Sequence, residues 1–147
     1  MIGRKLKLFL VTDETRFYHP DTIADFLRNT KDEIVGAGLV TKIPKKSNLE
    51  LYLIKHWYYL RFTEMVKLVF RKYRAALKDI FIKKSKEGPF YSIRSVYKYF
   101  KIDFIEIENN INESKYLDII RKANPDVIVS SNSLIFKEEI LNIPSIC

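Results

Sequence analysis

Between Lys5 and Thr12 the chain runs through Leu6, Leu8, Phe9, Leu10 and Val11, then turns polar at Thr12-Asp13-Glu14. An apolar run this short and dense reads as a strand covered on both faces. Pro20-Asp21 next opens a helix, because proline suits a first helical turn. Ile23, Ala24, Phe26 and Leu27 carry its apolar stripe to about Arg28. Asp32 leads into a second strand, Glu33–Ile43, with Gly36 and Gly38 among its apolar residues and Pro44 after it. Strand, helix and strand in that order favour a parallel crossover unit.

The middle of the chain breaks this rhythm. Ser47-Asn48 can cap a helix beginning near Leu49. A second helix is marked by Met65, Val66, Val69, Phe70, Tyr73, Ala76, Leu77, Ile80 and Phe81, with Lys67, Arg71, Arg74 and Lys78 largely off that stripe. Its apolar side could pack on the domain core or dock on a membrane surface or partner; the width and continuity of the stripe favour packing. Gly88-Pro89 closes the block. The alternating pattern then returns. A helix is predicted over Ser92–Phe100 and a strand, near a sheet edge, over Asp103–Glu108. Asn112 with Glu113 opens another helix that ends at Lys122-Ala123-Asn124. Asp126–Val129 reads as a buried strand, followed by Ser130-Ser131-Asn132-Ser133. Lys137–Leu141 is a short helix stopped by Pro144, and Ser145-Ile146-Cys147 looks like the start of a further strand whose loss would leave an open sheet edge. The fold class predicted is α/β, an open sheet interrupted by a basic helical insert at about 47–87. Ligands in such sheets bind outside the carboxyl ends of the strands. That singles out Thr12–His19, the region after Ile43, and Ser130–Phe136.

Composition removes several classes. At 147 residues, 47% hydrophobic and 14% aromatic, the chain has one domain's worth of core and is too apolar to be disordered. No window approaches the ~18 apolar residues of a membrane span. The apolar stretch near the N-terminus is too short for a secretory signal. A single cysteine, Cys147, excludes an internal disulfide framework and fits a reducing compartment, so a cytoplasmic location is expected. The net charge of +8 is concentrated: residues 55–101 hold thirteen Lys/Arg against three acids. Such a segment either grips a polyanion such as tRNA, or is the solvated face of ordinary helices. Membrane binding is the less favoured outcome.

The chemistry on the ligand-side loops is sparse. Val11–His19 has no glycine, which excludes a dinucleotide pyrophosphate held closely by the backbone. There is no Walker A loop and no nucleophile elbow. His19 is either a substrate contact or a solvated loop histidine. His56 reads as interfacial packing, and two separated histidines with one cysteine do not make a metal site. Asp13 and Glu14 could hold a substrate hydroxyl or amine, or be solvated turn residues. Ser130–Ser133 could bond a ligand or simply turn the chain. No nucleophile–base pair follows from these residues.

Asn124-Pro125-Asp126-Val127-Ile128-Val129, a loop with Leu134-Ile135-Phe136, then Glu139-Ile140-Leu141-Asn142-Ile143-Pro144 and Cys147, resembles the folate-dependent formyltransferase family. That family includes methionyl-tRNA, glycinamide ribonucleotide and sugar-amine N-formyltransferases. Phe17, Pro20, Ile23 and Ile34–Val40 agree more loosely with its first crossover. The resemblance covers about 1–45 and 90–147 and implies a Rossmann-like, mainly parallel sheet with helices on both faces and no glycine fingerprint. It implies 10-formyltetrahydrofolate as cofactor, its pteridine against Asn132, Ser133, Leu134, Ile135 and Phe136, because a flat heteroaromatic ring gains most from apolar walls and a few backbone hydrogen bonds. Thr12, Asp13 and Phe17 are then expected to meet the substrate. That substrate is an amine, such as an amino sugar nucleotide or an aminoacyl-tRNA, with tRNA also within reach of the basic insert. The family's catalytic Asn-x-His follows the position matched by Cys147, and its Asp comes later still. None of the three is present here, so residues 1–147 are expected to be an incomplete formyltransferase N-terminal domain. It is expected to be inactive in formyl transfer alone, with self-association to a dimer favoured by an open strand edge.

Overall fold

A computed structural model describes residues 4–14, 19–42 and 90–146, with isolated positions between 63 and 77. Apart from the helical positions between 63 and 77, the described residues form four strands and four helices in alternation: β1 (Lys7–Asp13), α1 (His19–Asn29), β2 (Glu33–Lys42), α2 (Ile93–Phe100), β3 (Phe104–Glu108), α3 (Ser114–Ala123), β4 (Val127–Ser131) and α4 (Glu138–Leu141). The strands form one sheet in the order β3-β2-β1-β4, and every pairing is parallel. The chain thus steps outward from β1 to β2 and β3, then returns to lay β4 on the other side of β1. This is an open α/β sheet as the sequence predicts, and β3 is at an edge.

β1 is central and buried from Leu8 to Thr12. Its side chains alternate between two cores. Phe9 and Val11 join Val40, Ile107, Ile111, Tyr116, Leu117, Ile120 and Ile140 on the face covered by α3 and α4. Leu10 joins Ala37, Leu39, Ile93 and Tyr97 on the face covered by α1 and α2. The glycines of β2 belong to the first face. A Cβ on Gly36 would stand 2.9 Å from the Phe9 ring, and one on Gly38 would stand 2.6 Å from Ile107 Cδ1. These two positions stay bare because large neighbours on β1 and β3 already fill the layer.

Both ends of the sheet are tied by polar groups. At the amino end, Asp126 accepts hydrogen bonds from the Lys7 amide at 2.9 Å, the Ser145 hydroxyl at 2.8 Å and Arg4 at 3.3 Å. Its own amide donates to the Lys7 carbonyl. The Lys7 and Ser145 bonds hold its carboxyl below the usual range. α2 starts at Ser92, whose hydroxyl accepts from the Ser95 amide while the Ser95 hydroxyl donates back to the Ser92 carbonyl. Lys101 and Asn124 close α2 and α3 in the left-handed conformation.

Two expectations need correction. β4 is not a buried strand: it is the second edge, and Val129 is exposed. Its Val-Ile-Val run resembles that of an inner strand, but β1 flanks it on one side only. Ser145 and Ile146 donate to the carbonyls of Pro125 and Asp126, beginning a second line of hydrogen bonds beside it. α3 opens after Asn112-Glu113 as expected, with Glu113 at the cap position and no side-chain cap bond. Of the stripe expected over 65–81, Val66, Phe70, Tyr73 and Leu77 are helical and exposed, as are Thr63, Lys67 and Arg74, while Met65, Val69, Ala76, Ile80 and Phe81 lie outside the described residues. The helix expected from Leu49 and His56 lie outside the described residues. Among the described residues no helix is long and apolar enough to cross a membrane.

Because the folded Asp126 pKa is lowered, its contribution to stability is present above the unfolded carboxyl value of about 3.9 and is lost as pH falls through the folded one. Asp126→Asn is therefore expected to lower the urea midpoint at pH 7, with the two proteins converging toward pH 2. Urea titrations across that range check it, and parallel curves would contradict it.

Candidate functional site

The order of strands reverses between β1 and β4, so the loops that leave their carboxyl ends depart in opposite directions, the place where open α/β sheets form a binding crevice. Asp13 ends β1, His19 begins α1, and Ser130–Phe136 follow β4. Each arrives there because its element ends at that edge of the sheet. The side chains are joined across the crevice. The Ser131 hydroxyl lies 2.7 Å from His19 Nε2. Burial raises the Asp13 pKa, with the neighbouring Ser133 and His19 opposing the rise. Asp13 Oδ1 and His19 Nδ1 are buried and have no hydrogen-bond partner among the described residues. Unmatched buried polar atoms are costly, and they mark where a ligand's own polar groups can be received.

His19 is therefore not a solvated loop residue. Asp13 and Glu14, neighbours in sequence, go to different places. Glu14 accepts from the Arg94 amide at 3.2 Å, in the first turn of α2, where a carboxylate is favoured. Thr12 is buried, and its hydroxyl meets that of Tyr97 at 2.9 Å. Burial raises the Tyr97 pKa to about 12, so this pair is a neutral hydrogen bond within the core. Phe17 lies outside the described residues.

The loop after β4 is held at both ends. Asn132 Nδ2 donates to the Ser130 hydroxyl at 2.8 Å and to the Val11 carbonyl at 3.4 Å, while its Oδ1 accepts from the Leu134 amide at 2.7 Å. At the far end Asn112 donates to the Ile135 carbonyl and accepts from the Lys137 amide, each at 2.8 Å. Asn112 is the residue that sequence reading missed. Its partners lie 23 and 25 positions away, and no local pattern signals them. Leu134 and Phe136 turn inward and pack against the α3 core. Ile135 points out and is 71% exposed. Of the five loop residues implied for a pteridine, Ser133 and Ile135 are the most open.

No family model matches the chain, and no curated protein matches it.

Two expected outcomes test this geometry. Asn112→Ala removes both bonds to the 135–137 backbone, at about 1 kcal/mol each. Hydrogen exchange of peptides covering 134–137 is then expected to quicken roughly tenfold or more, with the sheet unchanged. Because burial raises the Asp13 pKa, its charge costs stability above that pKa, and the cost vanishes below the unfolded value of about 3.9. Asp13→Asn is thus expected to melt higher than the parent at pH 7 and to lose that advantage in acid, as read by thermal denaturation.

Proposed function

We propose that this chain is the cofactor-side portion of a 10-formyltetrahydrofolate-dependent formyltransferase that acts on an amine. The observation that carries the reading is the loop after β4. It stands open beside the reversal of strand order, pinned by Asn132 and Asn112, with Ile135 turned outward. A parallel sheet whose first loop has no glycine supports it, since that combination accommodates a ligand without a backbone-cradled pyrophosphate.

The residues present suit part of such a cofactor. Ile135 and the loop backbone offer a flat ring an apolar wall with polar edges. Leu134 and Phe136 serve from behind, by fixing the loop on the core. Asp13, whose Oδ1 has no partner among the described residues, supplies an acceptor for an N–H or O–H group of the bound molecule. When bound, the cofactor supplies the formyl carbon. The residues here bind and orient; the family's Asn-x-His and Asp are not among the 147. The acceptor amine, an amino sugar nucleotide or an aminoacyl-tRNA, would approach from the Asp13 side.

Binding rather than turnover is the test. Calorimetry with 5-formyltetrahydrofolate, a stable isomer of the cofactor, is expected to give a Kd below about 1 mM. Ile135→Glu, at an exposed position, is expected to weaken it at least tenfold by placing a charge against the ring. Heat absent up to millimolar folate would remove the reading.

A further inference from the structure

We propose that the exposed side chains at the helical positions Val66, Phe70, Tyr73 and Leu77 form a docking surface for an anionic lipid bilayer. Val66, Phe70, Tyr73 and Leu77 are four, three and four residues apart, which places them on one side of a helix. They are 51%, 66%, 68% and 55% exposed. From first to last they span about 16 Å at 1.5 Å per residue. Large apolar side chains aligned over that length are an unusual surface to leave in water. Lys67 and Arg74 each follow one of these residues by a single position, so both lie on the same flank, and both are exposed.

The charge selects the occupant. Residues 55–101 hold thirteen Lys/Arg and three acids, so the apolar stripe sits in a strongly cationic stretch. A second copy would bring like charges together along the contact. A nucleic acid would meet the cations but gain little from Phe70 and Leu77. An anionic membrane meets both: apolar side chains enter the acyl boundary, Tyr73 suits the interface, and the cations lie among the headgroups. The helix would lie in the plane of the membrane. This surface is independent of the proposed folate site.

The 147-residue protein would be sedimented with vesicles of phosphatidylcholine, with and without one third phosphatidylglycerol. Binding is expected to the anionic vesicles, with little to the neutral ones, and to weaken as salt is raised. Phe70→Ser with Leu77→Ser, and separately Lys67→Glu with Arg74→Glu, are each expected to weaken it roughly tenfold or more. Hydrogen exchange of the unaltered protein, which needs no variant, is expected to slow over 66–77 when anionic vesicles are added. No partition at low salt, or binding untouched by both double substitutions, would overturn the proposal. So would tRNA binding or concentration-dependent dimerisation through these residues in a protein that ignores vesicles.

Discussion

The structure depends on β1 being enclosed from four sides. β2 and β4 bond to its edges, and Phe9, Leu10 and Val11 send side chains alternately into two helical layers. A strand in that position has no solvent-facing side, so a slip of one residue would exchange its two sets of side chains between two differently shaped cores. The bare positions on β2 follow from the same constraint. Phe9 and Ile107 occupy the volume above Gly36 and Gly38, and close packing leaves no room for both. The register of the sheet is thereby fixed before any loop is considered.

The crevice is a consequence of that arrangement. A sheet that grows first to one side of β1 and then to the other must part its connecting segments where the direction changes. Asp13, His19, Ser131 and Ser133 meet there although they are far apart in the chain. The Ser131 hydroxyl and His19 Nε2 are matched to each other, yet among the described residues Asp13 Oδ1 and His19 Nδ1 have no partner. A site that keeps unmatched buried atoms gives up stability for readiness to bind. The two asparagines differ from them in kind. Asn132 and Asn112 bond loop backbone together with one nearby side chain each, Ser130 and Asn110, and so shape the loop.

What the sequence made legible follows from the range of each interaction. The strand–helix alternation was readable because periodicity is local, and β1 most of all because it is apolar on both faces. Asp126–Val129 was read as buried for the same reason. Its composition matches an inner strand, and only the order of strands shows it to be an edge. Asn112 stands just before a helix, where it is read as part of the helix opening, while its side chain bonds Asn110 and the backbone of residues 135 and 137. The His19–Ser131 contact joins residues 112 positions apart, beyond any window a reader could scan. The stripe on the 65–81 helix was visible, but an amphipathic pattern records that a face is apolar and not what lies against it.

Phe90 has a bearing on how this chain can change over evolutionary time. Where the sequence returns to the sheet after its long excursion, the Phe90 amide donates to Asp21, and its buried ring packs against Tyr99 and Phe100 beneath Arg28. β2 is paired on both sides before the excursion begins. Both stumps are therefore fastened to the scaffold independently of what joins them. Doubling the length of a flexible connection costs only about 0.6 kcal/mol in closure entropy. A change of length between residues 42 and 90 thus meets two ends that the scaffold itself holds, β2 by its ladders and Phe90 by Asp21 and its ring contacts.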